Sequence, residues 1–283
     1  MPLFSIPELQ GETRKNREEI TIAIARSNLG VGDATFHLDA WAQELIIYAR
    51  SLGYNVVDIS GPNMVYERFT EILENTHPAA LFNFSHGCQN YLVGNDLRCT
   101  LARGKEWEQV HPDQFACGVC GMPSNLRVVK NMGIVAFSCH SATQLGKCAT
   151  KYGAPMYVGW CDSLILISDK FGSQNIFRDA LMPMAQRVLQ GWPIGVAIEQ
   201  TRTDLYNLAK QYKPVELIAT GLWYDRKYLT MQGDPNWGLD NDYLESVKPT
   251  TIKLGSYQAN PRLVTASPLS LTVQKMSCNL QVV

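Results

Sequence analysis

Apolar and polar positions alternate along the first third of the chain in a way that predicts strands and helices in turn. Residues 20–26 (ITIAIAR) form a short β-branched run and predict a strand, followed by a glycine-containing loop over 27–36. Leu38, Trp41, Leu45, Ile46 and Ala49 then recur at helical spacing, so 37–52 is expected to be a helix with one buried face, and Gly53 stands where a C-cap belongs. A strand at 55–59, a helix at 64–74 and a strand at 79–84 follow, the last running into Ser85-His86-Gly87. This β-α-β-α-β alternation with short turns predicts an α/β fold whose mostly parallel sheet is covered by helices on both faces.

The pattern breaks over 88–125, which is polar, cysteine-bearing and without a period, and is expected to be an insertion. It resumes with strands at 133–137 and 156–160 around a helix at 142–152, and an extended piece follows at 163–167. Helices are expected at 173–190 and 194–211, and a strand at 222–231. With no internal repeat or splitting linker, 20–240 reads as one domain, 1–19 as a polar arm and 241–283 as a C-terminal extension.

Composition narrows the function classes. The 283 residues, 46% of them hydrophobic, are ample for a core and exclude a disordered chain. Lys and Arg number 25 against 26 Asp and Glu, so no basic excess marks a nucleic-acid partner. No stretch approaches the roughly 18 apolar residues of a membrane span. The N-terminal MPLFSIPELQGETRKNREE turns polar before an export signal could form. The eight cysteines are therefore expected to be reduced thiols of a cytoplasmic protein.

Chemistry in open α/β sheets gathers at the carboxyl ends of the strands. Reading those ends gives Ser27-Asn28, His86-Gly87, Ser138-Cys139 and Cys161-Asp162. A histidine and a cysteine thus end two strands expected to be neighbours, with Cys139 53 residues after His86. A thiolate is a nucleophile, and an imidazole can protonate a departing amine. Gly87, without a side chain, lets its amide approach a substrate carbonyl; with the Cys139 amide it would hold an oxyanion. A helix starting behind Cys139 would favour the thiolate.

The segments ALFNFSHGCQN and GIVAFSCHSATQLGKCATKYGAPMYVGWCDSLILISDKF resemble the caspase-like cysteine peptidases, in particular the gingipain, separase and CHAT-domain branch. RDALMPMAQRVLQGWPIGVAIEQTR and LTMQGDPNWGL extend the likeness over roughly 20–240. The resemblance implies a three-layer α/β/α sandwich of caspase-like type and a thiol protease with a Cys139–His86 dyad and Gly87 as oxyanion donor, needing no cofactor for catalysis. Its partners would be a protein or peptide substrate and a regulatory or recruiting protein. The wall of the pocket before the cut would come from the region of Asp162 and Asp169, where an Asp can select a basic residue. The rival expectation is a non-catalytic CHAT-like interaction module of the same fold.

One segment departs from that family. Cys117-Gly118-Val119-Cys120-Gly121 has the form of a zinc knuckle, with Cys99 and either His111 or Cys88 to complete a structural zinc site; free thiols are the plainer alternative. The loop 28–33 has G-x-G but lacks the third glycine of a dinucleotide fingerprint, and reads as a mobile loop at the rim of the cleft.

Overall fold

The structure, a computed structural model, describes residues 17–104, 122–168, 172–213, 215–239 and 272–275. In chain order its elements begin with β1 (Thr21–Arg26), α1 (Ala34–Ser51), β2 (Asn55–Ser60), α2 (Tyr66–Thr76) and β3 (Ala80–Phe84). A small hairpin, β4 (Tyr91–Val93) and β5 (Cys99–Ala102), precedes β6 (Gly133–Phe137), α3 (Gln144–Lys151), β7 (Met156–Trp160) and β8 (Ile165–Ser168). Three helices follow, α4 (Gln174–Leu189), α5 (Ile194–Gln211) and α6 (Glu216–Tyr228), then β9 (Leu229–Gly233) and β10 (Thr272–Lys275).

Six strands form one sheet in the order β2-β1-β3-β6-β7-β9. All its neighbours are parallel except β7 and β9, which run antiparallel from Trp160↔Leu229 to Met156↔Gly233. Because side chains alternate across a strand, each strand contributes to two cores. Ile22, Ile24, Phe82, Phe84, Val135, Phe137, Val158 and Trp160 face α1, α4, α5 and α6. Ala23, Ala25, Leu81, Ile134, Ala136 and Tyr157 face α2 and α3, with Phe69, Leu73 and Leu145. The result is a mostly parallel sheet between two helical layers, as the alternation predicts. Among the described residues no helix is long and apolar enough to cross a membrane.

Two expectations are corrected. The predicted strand at 222–231 is the end of α6 followed by β9. Buried Ile218, Ala219, Leu222 and Asp225 recur at three- and four-residue steps, and Glu216 in the first turn and Arg226 and Lys227 in the last suit the helix dipole. The aromatic residues Trp223, Tyr224 and Tyr228 raise strand propensity there, but the buried face decides. The insertion is not without order either: β4 and β5 pair at Tyr91↔Ala102 and Val93↔Cys99. Of the C-terminal extension, the described part is β10, which pairs with β8.

β3 and β6 form the central pair of the sheet. Phe84 and Phe137 are register partners, and their rings stack with centroids 4.6 Å apart. Replacing a fully buried phenylalanine by alanine removes transfer energy and leaves a cavity. Phe137→Ala should lower unfolding stability by about 3–5 kcal/mol, measured by urea titration followed by circular dichroism.

Candidate active site

The β3–β6 register carries past the last paired residues. Phe84 and Phe137 point into the α1/α4 core, so the next residues, Ser85 and Ser138, point to the opposite face, and His86 and Cys139 return to the first. The serines are used as a staple. Asn83, wholly buried, donates from Nδ2 to Ser85 Oγ at 2.8 Å and Ser138 Oγ at 3.0 Å. Ser138 Oγ donates to the Ser85 carbonyl at 2.8 Å. Two strand ends that would otherwise fray are thereby locked in register under the two candidate catalytic residues.

Gly87 follows in a short antiparallel bridge with Leu92. Val93 N–H donates to His86 O and Cys88 N–H to Tyr91 O, which turns the Gly87 amide away from Leu92. On its other side the backbone presses on β6: a Cβ at Gly87 would lie 2.7 Å from Ser138 Cβ and 3.0 Å from the Cys139 carbonyl oxygen. Glycine is required there by contact, since no side chain fits.

His86 is held by a residue that the strand-end reading does not select. Its Nε2 lies 3.0 and 3.1 Å from the two Asp33 carboxylate oxygens. Asp33 is the N-cap of α1 and also accepts from the Thr35 amide at 2.8 Å and the Thr35 hydroxyl at 2.6 Å. Burial pushes this carboxyl up, but the hydrogen bonds from His86 and Thr35 outweigh it and hold it at about 2. With Nε2 committed to Asp33, Nδ1 is the ring nitrogen left for a thiol or substrate. The signal in the sequence is an Asp immediately before a helix, on a loop leaving the strand that neighbours β3. In that loop Leu29 N–H donates to Thr35 Oγ1, Gly30 N–H to Asn28 Oδ1, and Asn28 Nδ2 to Asp39 Oδ2. Its glycines Gly30 and Gly32 take φ of 104° and 101°.

Cys139 occupies the matching position on β6, but its sulfur is turned inward. The Leu164 N–H donates to Sγ at 3.1 Å, and the thiol points to the Leu164 carbonyl at 3.9 Å. Among the described residues no hydrogen bond joins this sulfur to His86. Burial pushes the thiol far above its ordinary value, and Asp225 and Asp162 add to that against the Leu164 amide. The expected thiolate is therefore not the resting form: α3 starts only at Gln144, and the intervening turn is too far from a helix terminus to compensate for burial. The next amide, Ile165 N–H, donates to Asp225 Oδ1 at 2.8 Å. Asp225 is fully buried, and burial drives its carboxyl well above the usual range despite that bond. Consecutive amides at the head of β8 are thus tied to β6 on one side and to α6 on the other.

The turn after Cys139 passes through His140 at φ 53°, an unusual conformation for a non-glycine residue. It is fixed by His140 N–H donating to Asp162 O at 2.8 Å, which brings the His140 Nε2 to 3.9 Å from Asp162 Oδ1. Asp162 also accepts from the Ser163 amide at 2.7 Å and from the Tyr224 hydroxyl. Its side chain stays 35% exposed and lies near enough to Cys139 to push its thiol up, with His140 as a second histidine beside it. Asp169 lies outside the described residues, as do His111, Cys117 and Cys120.

The zinc expectation meets one contrary fact. Cys99 is disulfide-bonded to a partner outside the described residues, and a disulfide sulfur has no thiolate to give a metal. It also departs from the expectation of eight reduced cysteines, whereas Cys88, Cys139, Cys148 and Cys161 are free. Among the described residues no group of three or more His, Cys, Asp or Glu side chains is arranged to hold a metal. In comparisons with known proteins, no family model matches the chain and no curated protein does.

Asp33 joins helix capping to histidine orientation. Its carboxyl falls from the ordinary 3.8 to about 2, so it stabilises the fold above pH about 4 and loses that contribution as the pH drops toward 2. Asp33→Ala should cost about 1–2 kcal/mol at pH 7, part of the linkage being screened by solvent. The gap between parent and variant in urea titrations should close as the pH is lowered from 4 to 2.

Proposed function

We propose that the chain is a cysteine endopeptidase of caspase-like type working through Cys139 and His86. The observation that carries this reading is the β3–β6 register, in which both residues lie two positions beyond a stacked phenylalanine pair and return to the same face. The His86–Asp33 pair supports it, because a histidine anchored through one nitrogen presents the other in a fixed direction. The caspase-like motifs around both residues point the same way.

In the reaction, the Cys139 sulfur leaves the Leu164 amide, gives its proton to His86 and attacks the peptide carbonyl carbon. The Gly87 and Cys139 amides stabilise the oxyanion, and the imidazolium protonates the departing amine. Water, deprotonated by the same imidazole, then hydrolyses the thioester and regenerates the thiol. A basic residue before the cut is favoured by Asp162, whose partly exposed carboxylate stands next to the nucleophile.

Cys139→Ala should leave no measurable cleavage of a peptide library, and His86→Ala should lower kcat about 10²–10⁴-fold. Asp162→Asn should cut kcat/KM for Lys- or Arg-directed cleavage about tenfold or more, the loss of one charge-assisted contact. Undiminished cleavage by Cys139→Ala refutes the assignment.

The buried sulfur favours one second reading, a non-catalytic interaction module of the same fold. Labelling by a peptide bearing a thiol-reactive electrophile separates the two. A peptidase reacts at Cys139 far faster than at Cys88 and Cys148, whereas a module reacts no faster there than at those buried thiols.

A further inference from the structure

β8 stands apart from the six-stranded sheet. It begins at Ile165, directly after the Leu164 whose amide holds the Cys139 sulfur, and among the described residues its sheet partner is β10. The two run antiparallel through Thr272↔Ser168, Val273↔Ile167, Gln274↔Leu166 and Lys275↔Ile165. Followed toward its C-terminus, β10 therefore advances along β8 toward the nucleophile, and Lys275 sits across from the residue next to Leu164.

Resting on the peptidase reading, we propose that the outer edge of β8 is where an extended peptide substrate pairs, and that the chain's own C-terminal strand, Thr272–Lys275, occupies it as a built-in pseudosubstrate. An exposed strand edge offers unpaired amides and carbonyls that recruit any extended segment. A peptide to be cut by Cys139 must run extended past the sulfur, and β8 is the strand that leads to it. Because β10 belongs to the same chain, its pairing is intramolecular; even weak backbone pairing then keeps the edge covered, and a substrate in trans must compete. Lys275, a basic residue at the end of the strand nearest the sulfur, matches the side-chain charge that Asp162 favours.

The test uses the full chain and its variant Val273→Pro/Gln274→Pro. Neighbouring residues of a strand point their amides to opposite sides, so one of the two prolines must remove a donor facing β8. The variant should exchange the β8 amide hydrogens that face β10, which exclude the Ile165 amide held by Asp225, about tenfold faster or more, and should bind a labelled Thr-Val-Gln-Lys peptide about tenfold or more tighter than the parent, the competing strand being lost. Cleavage of a lysine-directed substrate should rise in proportion. Unchanged exchange in β8, or equal peptide binding by both chains, overturns the proposal. Expected exchange and binding with no cleavage by either chain overturn the peptidase reading and leave the docking edge standing. Equal cleavage by both, with β8 already unprotected in the parent, does the reverse. If the variant does not fold, the parent alone decides: the β8 amides beyond Ile165 that face β10 must be protected, and excess Thr-Val-Gln-Lys must slow cleavage without tight binding, whereas unprotected amides there refute the pairing.

Discussion

Parallel pairing between β3 and β6 is the constraint on which the rest of the site depends. A parallel pair has no hairpin to fix its register, so side-chain contacts must hold the strands in place. Stacked Phe84 and Phe137 do this on one face, and Asn83, Ser85 and Ser138 do it on the other. A slip of one residue would send His86 or Cys139 to the wrong helical layer. The apolar stack stabilises the pair, while the buried polar network makes alternative registers costly because a slip would leave an amide unsatisfied.

Two carboxylates within the same layer are driven in opposite directions by their surroundings. Asp33 gathers donors from Thr35 and His86 and is held low, whereas Asp225 has one amide donor in full burial and is driven high. One is held where it steadies a histidine, and the other, raised by burial, anchors β8 through the Ile165 amide. The cysteine is left fully buried, an arrangement that shields its thiol from adventitious oxidation.

Much of this was legible in the chain. The β-α-β-α-β order and the strand ends near His86 and Cys139 follow from spacing alone, because helix and strand periods are set locally, whereas the contact that demands glycine at 87 comes from Ser138 and Cys139 on the neighbouring strand. Asp33 was within reach: a helix start at Ala34 rather than 37 makes it the N-cap, and the first strand's neighbour is β3. The rest depends on long-range geometry that spacing does not carry. Helix α6 was hidden because its aromatic residues mimic a strand, and the inward turn of the Cys139 sulfur depends on Leu164, 25 residues away. The pairing of β10 with β8 joins segments about a hundred residues apart, and no local pattern announces it.

Gly87 has a consequence beyond its fit. Its missing side chain is the spacer that sets how closely the two halves of the site approach, since any Cβ would strike Ser138 and the Cys139 carbonyl. A methyl group there would act as a wedge at the mouth of the sheet. It would spread β3 from β6 from the outside in, separating histidine from cysteine while the core beneath stayed packed. The site can thus be lost without the fold being lost, through a residue that has no side chain.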